Sequence, residues 1–253
     1  MEKATNNLLS VIVPAYKQEK TIKKDLENIN ETLQQGLPRE FNYEIICVVD
    51  GSLDNTEHEA KKAISSKIHV YSYPDNAGKG YAVRFGMSKA NGDLISFLDA
   101  GMEISPKGIM MLMAHMEWYN ADIIVGSKRH PASQVKYPFA RQIFSIGYHA
   151  MIKVLFGLWV NDTQSGIKIF KRKVIEKILP RLLVKRYAMD IEMLAVANYL
   201  GFKRIYEGPI EIHYKFEDLT HASTMRSIFR MVWDTFAVFY RLKILHYYDR
   251  KEA

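Results

Sequence analysis

Four short stretches gather the polar residues that could bind or activate a charged ligand. Pro14, Tyr16, Gln18 and Glu19 follow one apolar run, and Asp50-Gly51-Ser52-Leu53-Asp54 follows a second. Asn76-Ala77-Gly78-Lys79-Gly80 follows a third, and Asp99-Ala100-Gly101-Met102-Glu103 a fourth. Carboxylates placed in this way can hold a hard divalent cation that acts as a Lewis acid. Taken singly, each stretch also reads as an ordinary turn or helix-opening loop. The stretch around Lys79 is no G-x-x-x-x-G-K loop, because Tyr73 stands at the first glycine and Gly80 replaces the Ser or Thr. Nor does G-x-G-x-x-G follow the first apolar run, so a dinucleotide fingerprint is absent.

The elements that must position these residues alternate. Leu8 to Val13 reads as a strand ending at Pro14, and Ile22, Leu26, Ile29 and Leu33 fall on one helical face. Tyr43 to Val49 is an apolar run suited to a strand buried on both faces. Asp54 can cap a helix running to about Ser65. Strands are expected at Ile68 to Tyr73, Leu94 to Leu98 and Asp122 to Val125, with helices from Lys79 to Ala90 and from near Pro106. This β-α-β-α order predicts an α/β fold with a mainly parallel sheet covered on both faces. In such sheets ligands bind at the carboxyl ends of the strands, where the four polar stretches fall.

The 253 residues carry a formal charge of +7, with Lys and Arg crowded into the second half. A basic excess suits nucleic acid, anionic lipid or phosphate-bearing substrates alike. No zinc-finger or RNA-recognition signature is present, and the aromatics beside these charges lie on apolar helical faces, which favours lipid over nucleic acid. Cys47, the only cysteine, sits in an apolar run and reads as a buried strand residue in a reducing, cytoplasmic compartment. The first residues do not form a signal peptide, and no stretch reaches the roughly 18 uncharged apolar residues of a membrane span. From Phe139 to Trp159 the polar residues Arg141, Ser145, His149 and Lys153 form one stripe; near the C-terminus Ser227, Arg230, Asp234 and Arg241 form another. Both segments suit the bilayer interface, with packing on the domain or on a second subunit as the alternative.

Jointly, the four strand-end stretches resemble the nucleotide-sugar domain of the inverting family-2 glycosyltransferases of GT-A fold. That family reads P-x-Y-N-E, V-D-D-G-S-x-D-x-T, N-x-G-K-G and D-A-D in this order. Asp162-Thr163-Gln164-Ser165-Gly166-Ile167-Lys168-Ile169-Phe170 and Tyr187-Ala188-Met189-Asp190-Ile191-Glu192-Met193-Leu194 resemble D-T-Q-x-G-F-K-x-F and W-A-F-D-V-E-L-L of the polyprenyl- and dolichyl-phosphate branch. The glucosyltransferase type is the nearer match and the mannosyltransferase type the next.

The resemblance implies a nucleotide-sugar half at 1–130, an acceptor half at 131–223 and an amphipathic C-terminal helix at 224–253. It implies a nucleotide-sugar donor (UDP-glucose, with GDP-mannose next) and a polyprenyl phosphate acceptor at the cytoplasmic face of a membrane. Asp99 and Glu103 are the expected ligands of Mg²⁺ or Mn²⁺. Asp50 is expected to read the base or ribose, with Pro14 and Tyr16 flanking the base and Gln18 beside them. Lys79 either supports the pyrophosphate or simply sits in a turn shaped by Gly78 and Gly80. Arg129, Arg141 and Lys168 are expected to position the acceptor phosphate, with Asp162 and Asp190 orienting those cations or the sugar hydroxyls; Asp190 could instead cap a helix. A homodimer is compatible with the sequence.

The chain departs from the family pattern at Gly101, which replaces the second acid of D-A-D, and at Val49, which replaces the first Asp of the D-D-G-S turn. Ser223-Thr224 stands where Ser-Lys is usual, with Arg226 the nearest cation. Two other readings stand beside the lipid-phosphate glycosyltransferase. One is a family-2 enzyme with a non-phosphate acceptor, needing Asp190 or Glu192 as a base. The other is a non-catalytic relative whose metal site has decayed at Gly101.

Overall fold

The first strand, β1 (Asn7–Ala15), sorts its side chains between two cores. Leu9, Val11 and Val13 enter one core, and Ile12 enters the other. This period-two alternation follows from the pleat. The neighbouring β2 (Phe41–Asp50) does the same, with Ile45, Cys47 and Val49 on one side and Ile46 and Val48 on the other. The computed structural model describes residues 7–133, 139–186, 188–212 and 225–249, without the side chains of 139–146 and 225–228.

Strand β1 pairs in parallel with β2 and with β4 (Leu94–Leu98), and β2 pairs in parallel with β3 (Ile68–Tyr73). Connecting helices α1 (Ile22–Gly36), α2 (Thr56–Lys61) and α3 (Lys79–Lys89) carry the chain between these strands. After α4 (Gly108–Trp118) come β5 (Ile123–Ser127), α5 (Phe139–Phe156), β6 (Ile167–Lys171), α6 (Arg172–Ile178), α7 (Met189–Tyr199), β7 (Ile205–Pro209) and α8 (Met225–Lys243). The seven-stranded sheet runs β3-β2-β1-β4-β6-β5-β7. Helices α1 and α4 cover one face; α3, α6, α7 and the inner sides of α5 and α8 cover the other.

One strand is reversed. β6 lies antiparallel between β4 and β5, with Leu98 opposite Ile167. The segment that enters β6, Asp162 to Gly166, is therefore delivered to the carboxyl end of β4, beside Asp99. A parallel strand here would have carried that segment to the opposite edge of the sheet. The reversal brings the D-T-Q-S-G stretch to the strand-end cluster.

Boundaries differ from the sequence reading in a few places. β1 continues through Pro14 to Ala15, since Pro14 still occupies a ladder position opposite Val48. α2 stops at Lys61, and Asn55 rather than Asp54 holds its N-cap position; Asp54 Oδ1 instead accepts from Thr56 N at 3.1 Å. α5 ends at Phe156, where Gly157 (φ +64°) donates to the Lys153 carbonyl, so Trp159 lies beyond the helix. Ser223, Thr224, Tyr187 and the side chains of Arg141 and Arg226 lie outside the described residues.

Candidate active site

Asp50 closes β2 and is buried. Its Oδ1 accepts from Tyr73 Oη at 3.0 Å, Ala77 N at 2.7 Å and Gly78 N at 3.2 Å. Its Oδ2 accepts from Asn76 Nδ2 and Gly78 N, both at 3.0 Å. Burial and then the Asp50 charge push the Tyr73 phenol well above its ordinary value, which keeps it a proton donor. The carboxylate expected to read base or ribose thus has both oxygens committed to the next loop. Its observed work is to shape the Asn76–Gly80 turn.

The glycines of that turn meet backbone from the second half of the chain. A Cβ on Gly78 (φ +97°) would stand 2.5 Å from the Lys185 carbonyl oxygen, and one on Gly80 2.8 Å from that of Val184. Residues 184–186 form a roof over the turn, and Tyr81 N donates to Lys185 O at 3.3 Å. The turn launches α3, whose first residue is Lys79.

Lys79 reaches the end of β4, where its Nζ lies 2.7 Å from Asp99 Oδ2. Burial works against the ammonium, but the charges of Asp99, Asp190 and Glu103 outweigh it and hold Lys79 above the ordinary lysine value. The other Asp99 oxygen, Oδ1, is enclosed and has no hydrogen-bond partner among the described residues. Asp99 N donates to Gly166 O at 3.1 Å, and a Cβ on Gly166 would stand 2.4 Å from Asp99 Oδ2. The glycine of D-T-Q-S-G is therefore the surface on which the strand-end carboxylate rests. Gly101 adopts φ +91°, a region side-chain-bearing residues avoid, and its N–H donates to Asp25 Oδ2 at 2.9 Å. A positive φ is the conformation that glycine adopts without strain, so the backbone favours glycine at this position.

The remaining donor-side residues gather at the same edge. Pro14 and Tyr16 emerge half-exposed and exposed from β1, with Lys17 Nζ 5.5 Å from the Tyr16 ring centre. Gln18 turns its carbonyl and Oε1 to Thr21 to open α1. Its Nε2 faces the β4 end, 3.9 Å from a Cβ position on Gly101.

On the acceptor side, Glu103 is 58% exposed and pairs with Lys128 Nζ at 3.0 Å. Lys128 N donates to Asp162 Oδ2 at 2.9 Å, and Asp162 N to Glu207 Oε1 at 2.9 Å. Among the described residues no three acidic, histidine or cysteine side chains converge as a metal cage. Arg129 leaves the end of β5 half-exposed, its N–H donating to Ser127 Oγ at 3.2 Å. The backbone of Arg141 lies in α5, and its side chain is outside the described residues.

Lys168 is not an exposed acceptor cation. It is fully buried within β6, its Nζ 2.5 Å from Asp190 Oδ1 and 2.7 Å from Ser165 O. Burial, with the nearby Lys79 charge, pushes Lys168 below the ordinary lysine value against the pull of Asp190. Lys168 and Lys79 lie 5.1 and 5.6 Å from the same Phe97 ring centre, so two ion pairs of alternating sign share one buried wall. Asp190 is in the first turn of α7, but its carboxylate serves Lys168, and Ala188 holds the N-cap position. Glu192, two residues on, points elsewhere, as i and i+2 on a helix must. It is fully buried and accepts from Leu183 N, Val184 N and Tyr248 Oη. Sequence reasoning missed this role for Tyr248. The only signal for Lys168 was a lysine inside the apolar run Ile167–Phe170.

Helix α8 has two apolar sides. Val238 and Leu242 enter the core, while Phe229, Trp233, Phe236 and Tyr240 recur at helical spacing on the exposed side, Trp233 at 68%, and Ile244 is exposed just beyond the helix. Phe239 turns inward onto Phe156, ring centres 6.2 Å apart. Tyr148 of α5 and Thr235 of α8 share a 2.8 Å hydrogen bond. Trp159 is 77% exposed with Lys153 Nζ 3.7 Å from its ring centre. A cavity of about 820 Å³ opens between α5, α7 and α8, and the strand-end residues take no part in lining it. Among the described residues no helix is long and apolar enough to cross a membrane.

Comparison with known proteins agrees with this geometry. The model of "Glycosyl transferase family 2" matches residues 10–179. A dolichyl-phosphate beta-glucosyltransferase of Trichomonas vaginalis is 32% identical over 256 residues, covering 96% of this chain and 77% of that protein. Proteins of the same description from Drosophila melanogaster and Homo sapiens are 34% and 32% identical, each over 76% of this chain and 63% of their own length. The chain thus spans less than two thirds of the fly and human relatives. Among solved structures, glucosyl-3-phosphoglycerate synthase from Mycobacterium tuberculosis, in complex with Mn²⁺, UDP and phosphoglyceric acid, superposes with a TM-score of 0.67 at 19% identity. That match covers 98% of this chain and 80% of the synthase. Mannosyl-3-phosphoglycerate synthase from Rubrobacter xylanophilus gives 0.68 at 18% identity, over 96% and 76% of the two chains. These structures share its fold. The chain belongs to glycosyl transferase family 2 and carries the GT-A fold.

Proposed function

We propose that this chain transfers glucose, with inversion, from a nucleoside diphosphate donor to the phosphate of a polyprenyl lipid such as dolichyl phosphate. UDP-glucose is the favoured donor, ahead of GDP-mannose. The observation that carries the reading is the seating of Asp99 on Gly166, with Lys79 on the same carboxylate. It joins the donor stretches of the first half to the D-T-Q-S-G stretch of the second at one point. The relatives' names support glucose and a dolichyl phosphate acceptor.

In the reaction an acceptor phosphate oxygen bonds to the sugar anomeric carbon as the bond to the diphosphate oxygen breaks. The diphosphate leaves with the electron pair. The acceptor oxygen is already anionic near neutral pH, so no strong base is required. The carboxylates agree with this, since Asp190 is paired with Lys168 and Glu192 is buried against three donors. Glu192, with both oxygens taken, is not free to deprotonate a hydroxyl, whereas Asp190 is bonded through Oδ1 alone; the relatives' names are what disfavour a non-phosphate acceptor. Arg129 and Arg141 are the proposed acceptor cations, with Asp162 orienting the Lys128–Arg129 turn.

Asp99 is the residue that would hold Mg²⁺ or Mn²⁺, because Oδ1 is a buried carboxylate oxygen with no partner among the described residues. Such an ion would supply a Lewis acid for the departing diphosphate. Glu103, already paired with Lys128, is a weaker second candidate. A glycosyltransferase structure containing Mn²⁺ and UDP on this fold supports the choice of ion.

The chain is proposed to lie peripherally on the membrane through the exposed aromatic side of α8, with Trp159 and the basic residues Lys153, Arg230, Arg241 and Lys243 at its edges. The deciding experiment presents polyprenyl phosphate in anionic vesicles with radiolabelled UDP-glucose or GDP-mannose, and asks which label enters the organic phase. Label from UDP-glucose is expected. Label from neither donor defeats the reading, and label from GDP-mannose alone corrects the sugar. In the same assay Trp233→Asp with Phe236→Asp should release the protein from vesicles while sparing a short water-soluble acceptor. A variant that still binds vesicles, or that proves by light scattering to be a broken dimer, assigns this face to packing instead.

A further inference from the structure

The roof over the donor turn is held from the far end of the chain. Glu192 accepts from Leu183 N at 3.0 Å and from Val184 N at 2.8 Å, which fixes the backbone entering the roof. Its Oε1 also accepts from Tyr248 Oη at 2.7 Å. Tyr248 is fully buried, and burial followed by the Glu192 charge pushes its phenol far above the ordinary value, so it stays a donor. Arg241 Nε donates to the Tyr248 hydroxyl at 3.2 Å, and Arg181 Nε to the Tyr248 carbonyl at 2.9 Å. On its other side the roof touches the turn without slack: the Lys185 and Val184 carbonyls stand where a Cβ on Gly78 or Gly80 would fall. All of these roof-side contacts come from residues beyond 179, where the family match ends.

We propose that Glu192 and Tyr248 are positioning residues for the nucleotide diphosphate. Through the backbone of 183–185 they set the height of the Gly78–Lys79–Gly80 turn, and hence the place of the Lys79 ammonium beside Asp99. The proposal rests on the reading that this turn faces the donor. It gives the buried glutamate of the second-half motif a function other than proton transfer. It also makes the last turn of the described chain part of the donor site's support. Small displacements of groups that orient a substrate carry large kinetic penalties.

Tyr248→Phe removes one hydrogen bond and almost no volume, so it separates positioning from packing. UDP affinity, measured by calorimetry at a temperature where circular dichroism shows the variant folded, should weaken by up to about tenfold, the limit reached if the whole of one bond to a buried charge is coupled to the turn. KM for the donor should rise by a similar factor with kcat changed less, and amide exchange should quicken at Leu183, Val184 and Tyr81. Glu192→Gln keeps the shape, but its NH2 must face one of the donors that the carboxylate now accepts from, so it should weaken UDP binding at least as much as Tyr248→Phe. If Tyr248→Phe does not fold, Arg181→Met loosens the same tyrosine from a partly exposed position. It should show the same direction in affinity and exchange. Wild-type protein that fails to bind UDP defeats the donor reading itself. Wild-type binding with unchanged UDP affinity in both Tyr248→Phe and Arg181→Met, even at a lowered Tm, makes the pair a simple fold clamp and overturns the inference.

Discussion

Strands β2 and β4 flank β1, and an aspartate closes the first and follows the second at the carboxyl end, yet the fold treats the two carboxylates in opposite ways. Asp50 is buried and saturated by Tyr73, Asn76, Ala77 and Gly78, so its charge is spent on architecture. Asp99 has one oxygen on Lys79 and one with no partner among the described residues. An unsatisfied buried acceptor costs stability unless something else completes it. Both acids sit in motifs, but of the two only Asp99 keeps an oxygen with no partner among the described residues. Motif membership alone does not separate a carboxylate that shapes a site from one that acts in it; the tally of its donors does.

The contrast is open to direct attack. The largest expected effect is on Asp99→Asn, which should lower glucosyl transfer by about 10²–10³-fold, the usual cost of removing one electrostatic stabiliser. Its thermal stability should change little, and initial rates with radiolabelled donor read the loss. Asp50→Asn should instead unfold more easily, by about 2–3 kcal/mol in urea titrations, because an amide cannot accept from all of the loop's donors. Activity should fall along with the fold rather than ahead of it.

Gly101→Asp tests whether the missing second acid matters. Open space surrounds the position, but φ +91° makes any side chain strained there. A stability loss of about 1–2 kcal/mol without a gain in turnover is expected. A faster enzyme would revive the view that the site has decayed.

The smallest effect belongs to an acid at the amino end of β5, away from the carboxyl-end cluster. Burial works to raise the Asp122 carboxyl, but Arg204 and Lys173 outweigh it and hold it below the ordinary range. A depressed native pKa contributes stability that is fully present above the unfolded value near 3.9 and is lost as pH falls through the native value. Asp122→Asn should therefore cost about 1 kcal/mol at neutral pH, limited by the exposure of both partners, and less at each step below about pH 4.

Much of the donor side was legible in the sequence because each motif is local. The Asn76–Gly80 turn, the start of α3 at Lys79 and the end of β4 at Leu98 fall where the periodicity puts them. What stayed hidden depends on contacts between distant residues. The donors that saturate Asp50 arrive 23 to 28 residues later. The direction of β6 is not written in a five-residue apolar run, yet that reversal carries Gly166 to Asp99. Lys168 was expected to position the acceptor phosphate because its charge is read more readily than its apolar flanks, yet its ammonium is buried. Its burial follows from the strand it belongs to, between β4 and β5.

The distinction between the two aspartates is most directly tested by titrating UDP with Mn²⁺ and with chelator into the wild type, Asp99→Asn and Asp50→Asn. The wild type should bind about tenfold or more tightly with the ion. Asp50→Asn should keep that ratio at a temperature where it is folded, and Asp99→Asn should bind equally in both conditions. A full ion dependence remaining in Asp99→Asn, or lost in folded Asp50→Asn, would contradict the assignment.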